Sequence, residues 1–454
     1  MTTNNLADIP SALLDTSKKI TIVFWIVTAF LIADVILNYV AEFIESSLIS
    51  LPSIIFFTVM VGVCSFGTYY LLKFVRGKSK SVTSKDTYLR IISTIVMVVQ
   101  FLLIALVVSL LFEILFTSQY DTPLFVATAL ISEILALGLL GLFAQRFLSW
   151  FKLNRHSTVV FIYGLSFAVA AFSLAVIVIY DVTYLPQKDP DITPQTGVIF
   201  PNTLEAGSLL DILFSVYTYL NMISFGLLIL ATAILLFHYS KKIGRVKYWV
   251  IILLPLVYFI SSSIENLKIY APITDAEWFN WYLFSSLNST AGGILFGIAF
   301  WTIAKTLRQN SAVREYLKFA AFGFVLLFIS TQASPSGAPY PPYGIVTMTF
   351  LPLSSNMIFL GLYSTAISIS QDNQLRSSIK KVAAENQNLL GSIGTAHMEQ
   401  EIQKTVTSMK SVVEEQEKEL EEQTGIEANL EEDEMKKYLE EVMQEVGKAK
   451  KPST

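Results

Sequence analysis

Four carboxylates lie inside long apolar runs of this sequence: Asp34, Glu113, Glu133 and Glu265. A charge near the centre of a bilayer costs at least about 2.5 kcal/mol on insertion scales. Such a group therefore turns toward protein or water, where it binds a cation, carries a proton or closes a contact. No Lys or Arg in the same runs lies deep enough to neutralise these four. Asp34 and Glu133 fall near the middle of their runs, the depth expected of a cation- or proton-binding pair. Glu113 and Glu265 fall near run ends, within reach of the headgroups.

A second group of residues is polar without being charged. Ser261, Ser262 and Ser263 precede Glu265, while Asn288 sits among Ser285, Ser286, Ser289 and Thr290. Ser330, Thr331 and Gln332 close one run, and Thr347, Thr349, Ser354, Ser355 and Asn356 occupy the first half of the next. Together they outline a polar vestibule on one side of the membrane. Its ligand-binding candidates are Asp34, Glu133, Glu113, Glu265, Asn288 and Asn356, and its ligand would be a small polar or cationic solute. Pro255 and Pro352 each remove a backbone donor, which leaves a carbonyl needing a partner. Gly293 and Gly297 have the GxxxG spacing that lets two helices approach closely. The plainer expectation is that the hydroxyls bond between helices and hold a bundle together.

Soluble-type catalytic motifs are absent. The sequence has no phosphate-cradling glycine loop, no HExxH and no GxSxG. His156, His238 and His397 are not at metal-ligand spacing, and the single cysteine, Cys64, excludes an internal disulfide or a CxxC pair. No catalytic residue, metal or cofactor is expected, and an enzyme is not expected.

The elements that must position these residues are membrane helices. Of 454 residues, 53% are hydrophobic and only 15% charged, against about a quarter charged in a soluble domain. Apolar stretches long enough to span occur near 20–44, 52–75, 90–117, 122–148, 158–181, 209–239, 248–267, 282–307, 316–334 and 345–369. The expected fold is thus all-α: a polytopic transmembrane bundle of about ten spans. With the N-terminus inside, the inner segments hold 19 Lys and Arg and the outer segments only Lys188 and Lys268. That asymmetry places both termini in the cytoplasm and the protein in the cell membrane. The longest outer segment, 182–208, is proline-rich and reads as an irregular surface loop; PSGAPYPPYG at 335–344 reads as a turn segment with interfacial tyrosines.

Beyond the spans the chemistry changes. Residues 371–454 carry 18 acidic and 11 basic side chains, so the tail is acidic and nucleic acid is not an expected partner. The expected organisation is a cytoplasmic segment 1–19, a bundle 20–370, a helical or coiled-coil segment 371–424, and a short amphipathic helix with an acidic end, 425–454. Leu375, Ile379, Val382, Asn386, Leu389, Ile393 and Ala396 follow the 4-3 spacing of a coiled-coil seam. Gly391 and Gly394 then weaken the helix. Either this tail binds a cytoplasmic protein or another copy of itself, or it is a solvated acidic segment.

The stretch PYPPYGIVTMTFLPLSSNMIFLGLYSTAISISQDNQLRSSIKK, followed by LLGSIGTAHMEQEI, resembles uncharacterised multi-spanning membrane proteins of ammonia-oxidising archaea. The resemblance covers about the last third of the bundle and the start of the tail. It implies a source and a membrane topology, and no activity. The leading expectation is a receptor or signal-coupling protein whose vestibule communicates with the tail through the last span. A secondary transporter or channel, and a structural membrane subunit, are the alternatives.

Overall fold

The computed structural model describes residues 11–43, 51–83, 87–153, 155, 157–194, 207–237, 244–253, 293–305, 312–333 and 338–371, and eight positions between 393 and 404. The chain divides into two compact units, Met1–His397 and Met398–Thr454. The helices of the first unit are α1 (Ser11–Phe43), α2 (Leu51–Thr83), α3 (Thr87–Thr117), α4 (Thr122–Leu153), α5 (Thr158–Tyr184) and α6 (Leu209–Phe237). They are followed by α7 (245–253), α8 (Gly293–Lys305), α9 (Ala312–Ser330), the one-turn α10 (Ile345–Met348) and α11 (Phe350–Gln371).

Seven segments among the described residues are long and apolar enough to cross a membrane: six in α1 to α6 and one, Ile345–Ile369, formed by α10 and α11 together. The three other expected spans differ. Most of 248–267 lies outside the described residues; α8 shows 13 residues of the eighth; and α9 carries Arg314, Glu315 and Lys318 in its first two turns. The large apolar side chains that α3 leaves exposed, among them Val98, Phe101, Phe112 and Phe116, suit a lipid-facing helix.

The last span is the axis of the bundle. Its most apolar stretch is 100% buried, against 28–50% for the other six. Helix α11 packs on α2, α3, α4 and most extensively on α9. Small residues make that last contact close: a Cβ on Gly361 would meet the Ala320 backbone nitrogen and the Tyr316 carbonyl, each at 2.8 Å, and one on Gly323 would meet the Ile358 nitrogen at 2.8 Å. Because both obstacles are backbone, no rotamer change relieves them. Gly293 and Gly297 bring α8 onto α9 in the same way, against Phe328 and Val325.

Hydroxyls hold the outlying pair. Ser166 of α5 donates to the Ser224 carbonyl of α6 at 2.9 Å, and Ser224 donates back to the Ser166 carbonyl at 3.0 Å. The Tyr163 and Thr232 hydroxyls meet at 3.0 Å one level along. In an apolar medium such bonds hold helices together where a hydrophobic driving force is lacking.

The segment 182–208 is not wholly irregular. A two-residue strand, β2 (Asp191–Ile192), pairs antiparallel with β1 (Tyr120–Asp121) at the α3–α4 turn. The Thr122 amide donates to the Pro190 carbonyl at 2.9 Å, and the Thr122 hydroxyl also reaches the Asp189 carbonyl, at 2.5 Å. The proline-rich segment is thereby tied to the start of α4.

Gly361→Leu should lower the stability of the detergent-solubilised protein by at least about 1–3 kcal/mol, the usual cost of overpacking. Gly138→Leu, at an exposed glycine with nothing within 4 Å of its added Cβ, should leave it nearly unchanged. Thermal unfolding of the two variants checks this; equal midpoints would contradict the close α9–α11 contact.

Candidate functional site

The end of α11 nearest residue 350 is where the polar residues of four helices converge. A helix that starts inside a bundle exposes N–H groups that no water can satisfy. The short α10 has this problem, and Gly344 at its N-cap has no side chain to solve it. Asp34 of α1 supplies the missing acceptor from another helix. Its Oδ1 accepts the Gly344 N–H at 2.8 Å; its Oδ2 accepts the Thr347 N–H at 2.9 Å and the Thr347 hydroxyl at 2.7 Å. The carboxylate thus does for α10 what an N-cap side chain does for its own helix, with the helix dipole adding to the attraction.

Gly344 is required by two independent constraints. Its φ of 91° lies in the left-handed region, and a Cβ there would meet the Asn38 side chain at 2.9 Å. Asn38 lies one turn beyond Asp34 on the same helix face, so α1 presses directly on this corner.

The break between α10 and α11 has a chemical cause. In a continuous helix the N–H of residue 352 would bond to the Met348 carbonyl, but Pro352 has no N–H. The Ser132 hydroxyl of α4 donates to that carbonyl instead, at 2.6 Å. The next carbonyl, of Thr349, accepts the Gln100 side-chain amide of α3 at 2.9 Å. The orphan carbonyl expected at Pro352 therefore has its partner, contributed by a neighbouring helix. Thr349, Ser354 and Ser355 donate to carbonyls of their own segment, Val346 and Leu351.

Two tyrosines fasten the preceding loop. Tyr343 donates to the Ser53 carbonyl of α2 at 2.9 Å, and burial pushes its phenol up to about 12, so it remains a donor at neutral pH. Tyr120, between α3 and α4, donates to the Pro339 carbonyl at 2.9 Å, and burial raises its phenol too. Every residue from 338 to 366 is buried. The polar groups in this part of the expected vestibule are thus buried.

The other candidates take separate places. Glu133 is 2% exposed and faces Asp181 of α5, which is 0% exposed. Asp34 and Glu133 thus serve different partners. Glu113 is half-buried at the end of α3, where it accepts the Asp121 N–H at 2.9 Å beside β1. Asn356 is buried in α11, and its Oδ1 has no hydrogen-bond partner. Glu265 and Asn288 lie outside the described residues. Asp181 is the residue that hydropathy reading missed. It sits at the expected end of the fifth span, but α5 continues to Tyr184 and then into a 3-10 turn, Leu185–Gln187, which draws Asp181 into the bundle.

At the other end of α11, the described residues 393, 394, 396 and 397 belong to the same unit as the helices. Ile393 and Ala396 are buried, and Gly394 lies against Ile369, whose Cβ would be 2.9 Å from an added methyl. His397 is buried against the rings of Tyr363 (5.4 Å) and Trp150 (6.4 Å), and the Arg146 guanidinium lies 5.4 Å from the Tyr363 ring. Two residues of the expected seam, Ile393 and Ala396, are therefore packed on the bundle itself.

Ser132→Ala should cost about 1–3 kcal/mol by leaving the Met348 carbonyl unpaired. In a Pro352→Ala background the restored N–H can take that carbonyl, and the same substitution should cost markedly less. A double-mutant cycle by thermal or chemical unfolding measures the difference; strict additivity would contradict the assignment of Ser132 to the proline gap. No protein-family model, no curated protein and no solved structure matches the chain.

Proposed function

We propose that the protein is a multi-pass signal-coupling protein of the cell membrane, in which the last span transmits a change at its Asp34 end to the cytoplasmic tail. The observation that carries this reading is the placement of one helix. The last span is buried on all sides, is gripped at its start through the Asp34–Thr347 and Ser132–Met348 bonds, and at its far end packs on Gly394 and His397. Packed interfaces such as these shift between discrete arrangements more readily than they deform.

The alternation of basic residues supports ten spans with both termini cytoplasmic. It makes the Asp34 end the outer one, where a small polar or cationic solute would act, and the 393–397 end the inner one. Residues beyond His397 would then present the acidic tail to a cytoplasmic protein or to a second copy. The likeness to archaeal multi-spanning proteins supports this topology and adds no activity.

A second reading is favoured by a different observation. Glu133 and Asp181 form an acid pair buried among helices, and buried acids in membrane helices are the usual carriers of protons and cations in secondary transporters. Flux of protons, sodium or potassium in proteoliposomes that disappears with Asp181→Asn would favour it; no flux of any of the three would leave the signal-coupling reading standing.

Signal coupling predicts that loosening the Asp34 end alters the tail. Thr347→Val removes one hydroxyl bond to Asp34 and should leave the bundle folded. In the full chain it should change the rate at which a protease cleaves after the lysines beyond residue 397 at least about twofold, since a loss of about 1 kcal/mol shifts an equilibrium several-fold. Identical tail cleavage in a folded Thr347→Val protein would sink the reading.

A further inference from the structure

An ionised carboxylate offers only hydrogen-bond acceptors. Glu133 and Asp181 nevertheless face each other directly, from α4 and α5, with both side chains almost completely buried. Neither Asp181 oxygen has a donor, and Glu133 Oε2 has none either. This differs from Asp34, on which three donors converge. Two hydroxyls of α4 are already engaged: Ser132 donates to the Met348 carbonyl and Thr128 to the Leu124 carbonyl. Among the described residues, the titratable groups acting on the pair from the surrounding helices are the phenols of Tyr217 on α6 and Tyr180 on α5, neither of which brings positive charge.

Two like charges in contact inside an apolar bundle repel strongly, and neither has a hydrogen-bonded counterpart to offset its loss of hydration. A donor placed between the two carboxyls themselves turns this contact into an attraction. A metal ion is poorly served, because sodium or calcium takes about six oxygens, and no group of three or more His, Cys, Asp or Glu comes together among the described residues. One proton satisfies both groups: it makes one carboxyl a donor and the other its acceptor, as in other carboxyl pairs that share a site.

We infer that Glu133 and Asp181 form a buried proton-binding site, holding a single shared proton that fastens α4 to α5. Binding is a plain protonation of one carboxylate, with no bond broken and no second reactant. The site has a mechanical setting. Ser132, the neighbour of Glu133, is the residue that fills the Pro352 gap in the central helix. Loss of the proton would force α4 and α5 apart one residue from that bond, so proton occupancy bears on how firmly α4 holds α11. The pair holds its proton whether the protein transmits a signal or moves a solute, so either function can fail without emptying the site.

Infrared spectroscopy of the full chain in proteoliposomes tests it. At neutral pH the wild type should show a protonated-carboxyl C=O band, with a component lost in both Glu133→Gln and Asp181→Asn. Each amide can donate to the remaining carboxylate, so both variants should keep the wild-type amide bands and thermal midpoint to within a few degrees. Asp181→Ala, which offers no donor, should unfold at a clearly lower temperature. Should an amide variant fail to fold, the wild type alone still decides, through the presence of the band and its indifference to added sodium, potassium or calcium. Absence of the band, its persistence undiminished in the folded variants, or its displacement by one of those cations would overturn the inference.

Discussion

The bond on which the rest of this structure depends is that between the Asp34 carboxylate and the first turn of α10. A helix that begins in the interior of a membrane bundle must have its leading N–H groups satisfied by protein. Asp34 provides two oxygens for three donors of Gly344 and Thr347. Once α10 is fixed against α1, the chain can turn at Thr349, leave a proline gap that α4 fills and a carbonyl that α3 caps, and enter α11 along the bundle axis. The tyrosines on either side of the loop, Tyr120 and Tyr343, complete the enclosure.

The two interior acids make opposite uses of the same chemistry. Asp34 meets donors only, and so works as an acceptor that organises backbone. Glu133 meets another acid, Asp181, and neither Asp181 oxygen has a hydrogen-bond donor. They sit on α1 and α4, the helices that grip the two sides of the α10–α11 break. The central helix is therefore held on one side by Asp34 of α1 and on the other by Ser132 of α4, the neighbour of Glu133.

Sequence reading reached some of this arrangement and not the rest, for physical reasons. Asp34 and Glu133 stand out because a carboxylate in an apolar run is costly wherever it points, and that cost is visible without coordinates. The need for a partner at Pro352 is equally local, since it follows from the missing N–H. The identity of each partner is not local. Ser132 looks like any other helical serine until α4 is laid beside α11, and Asp181 was hidden by a span boundary only a few residues short. The serines and threonines of the last span suggested a vestibule by their number; whether a hydroxyl faces water or its own backbone carbonyl depends on packing, and here Ser354 and Ser355 bond to Leu351. Ile393 and Ala396 fit a seam by spacing, but spacing cannot tell a second chain from the flank of the same bundle.

The Asp34 bond can be tested directly by following hydrogen–deuterium exchange in peptides covering residues 338–357, in the wild type and in Asp34→Asn. The amides of Gly344 and Thr347 should be strongly protected in the wild type, because each donates to a buried carboxylate. In Asp34→Asn that protection should fall by at least about tenfold, corresponding to a loss of about 1.4 kcal/mol, while α5 and α6 remain protected. Unprotected amides in the wild type, or the same exchange in both proteins, would contradict the claim that α1 holds the start of the central span.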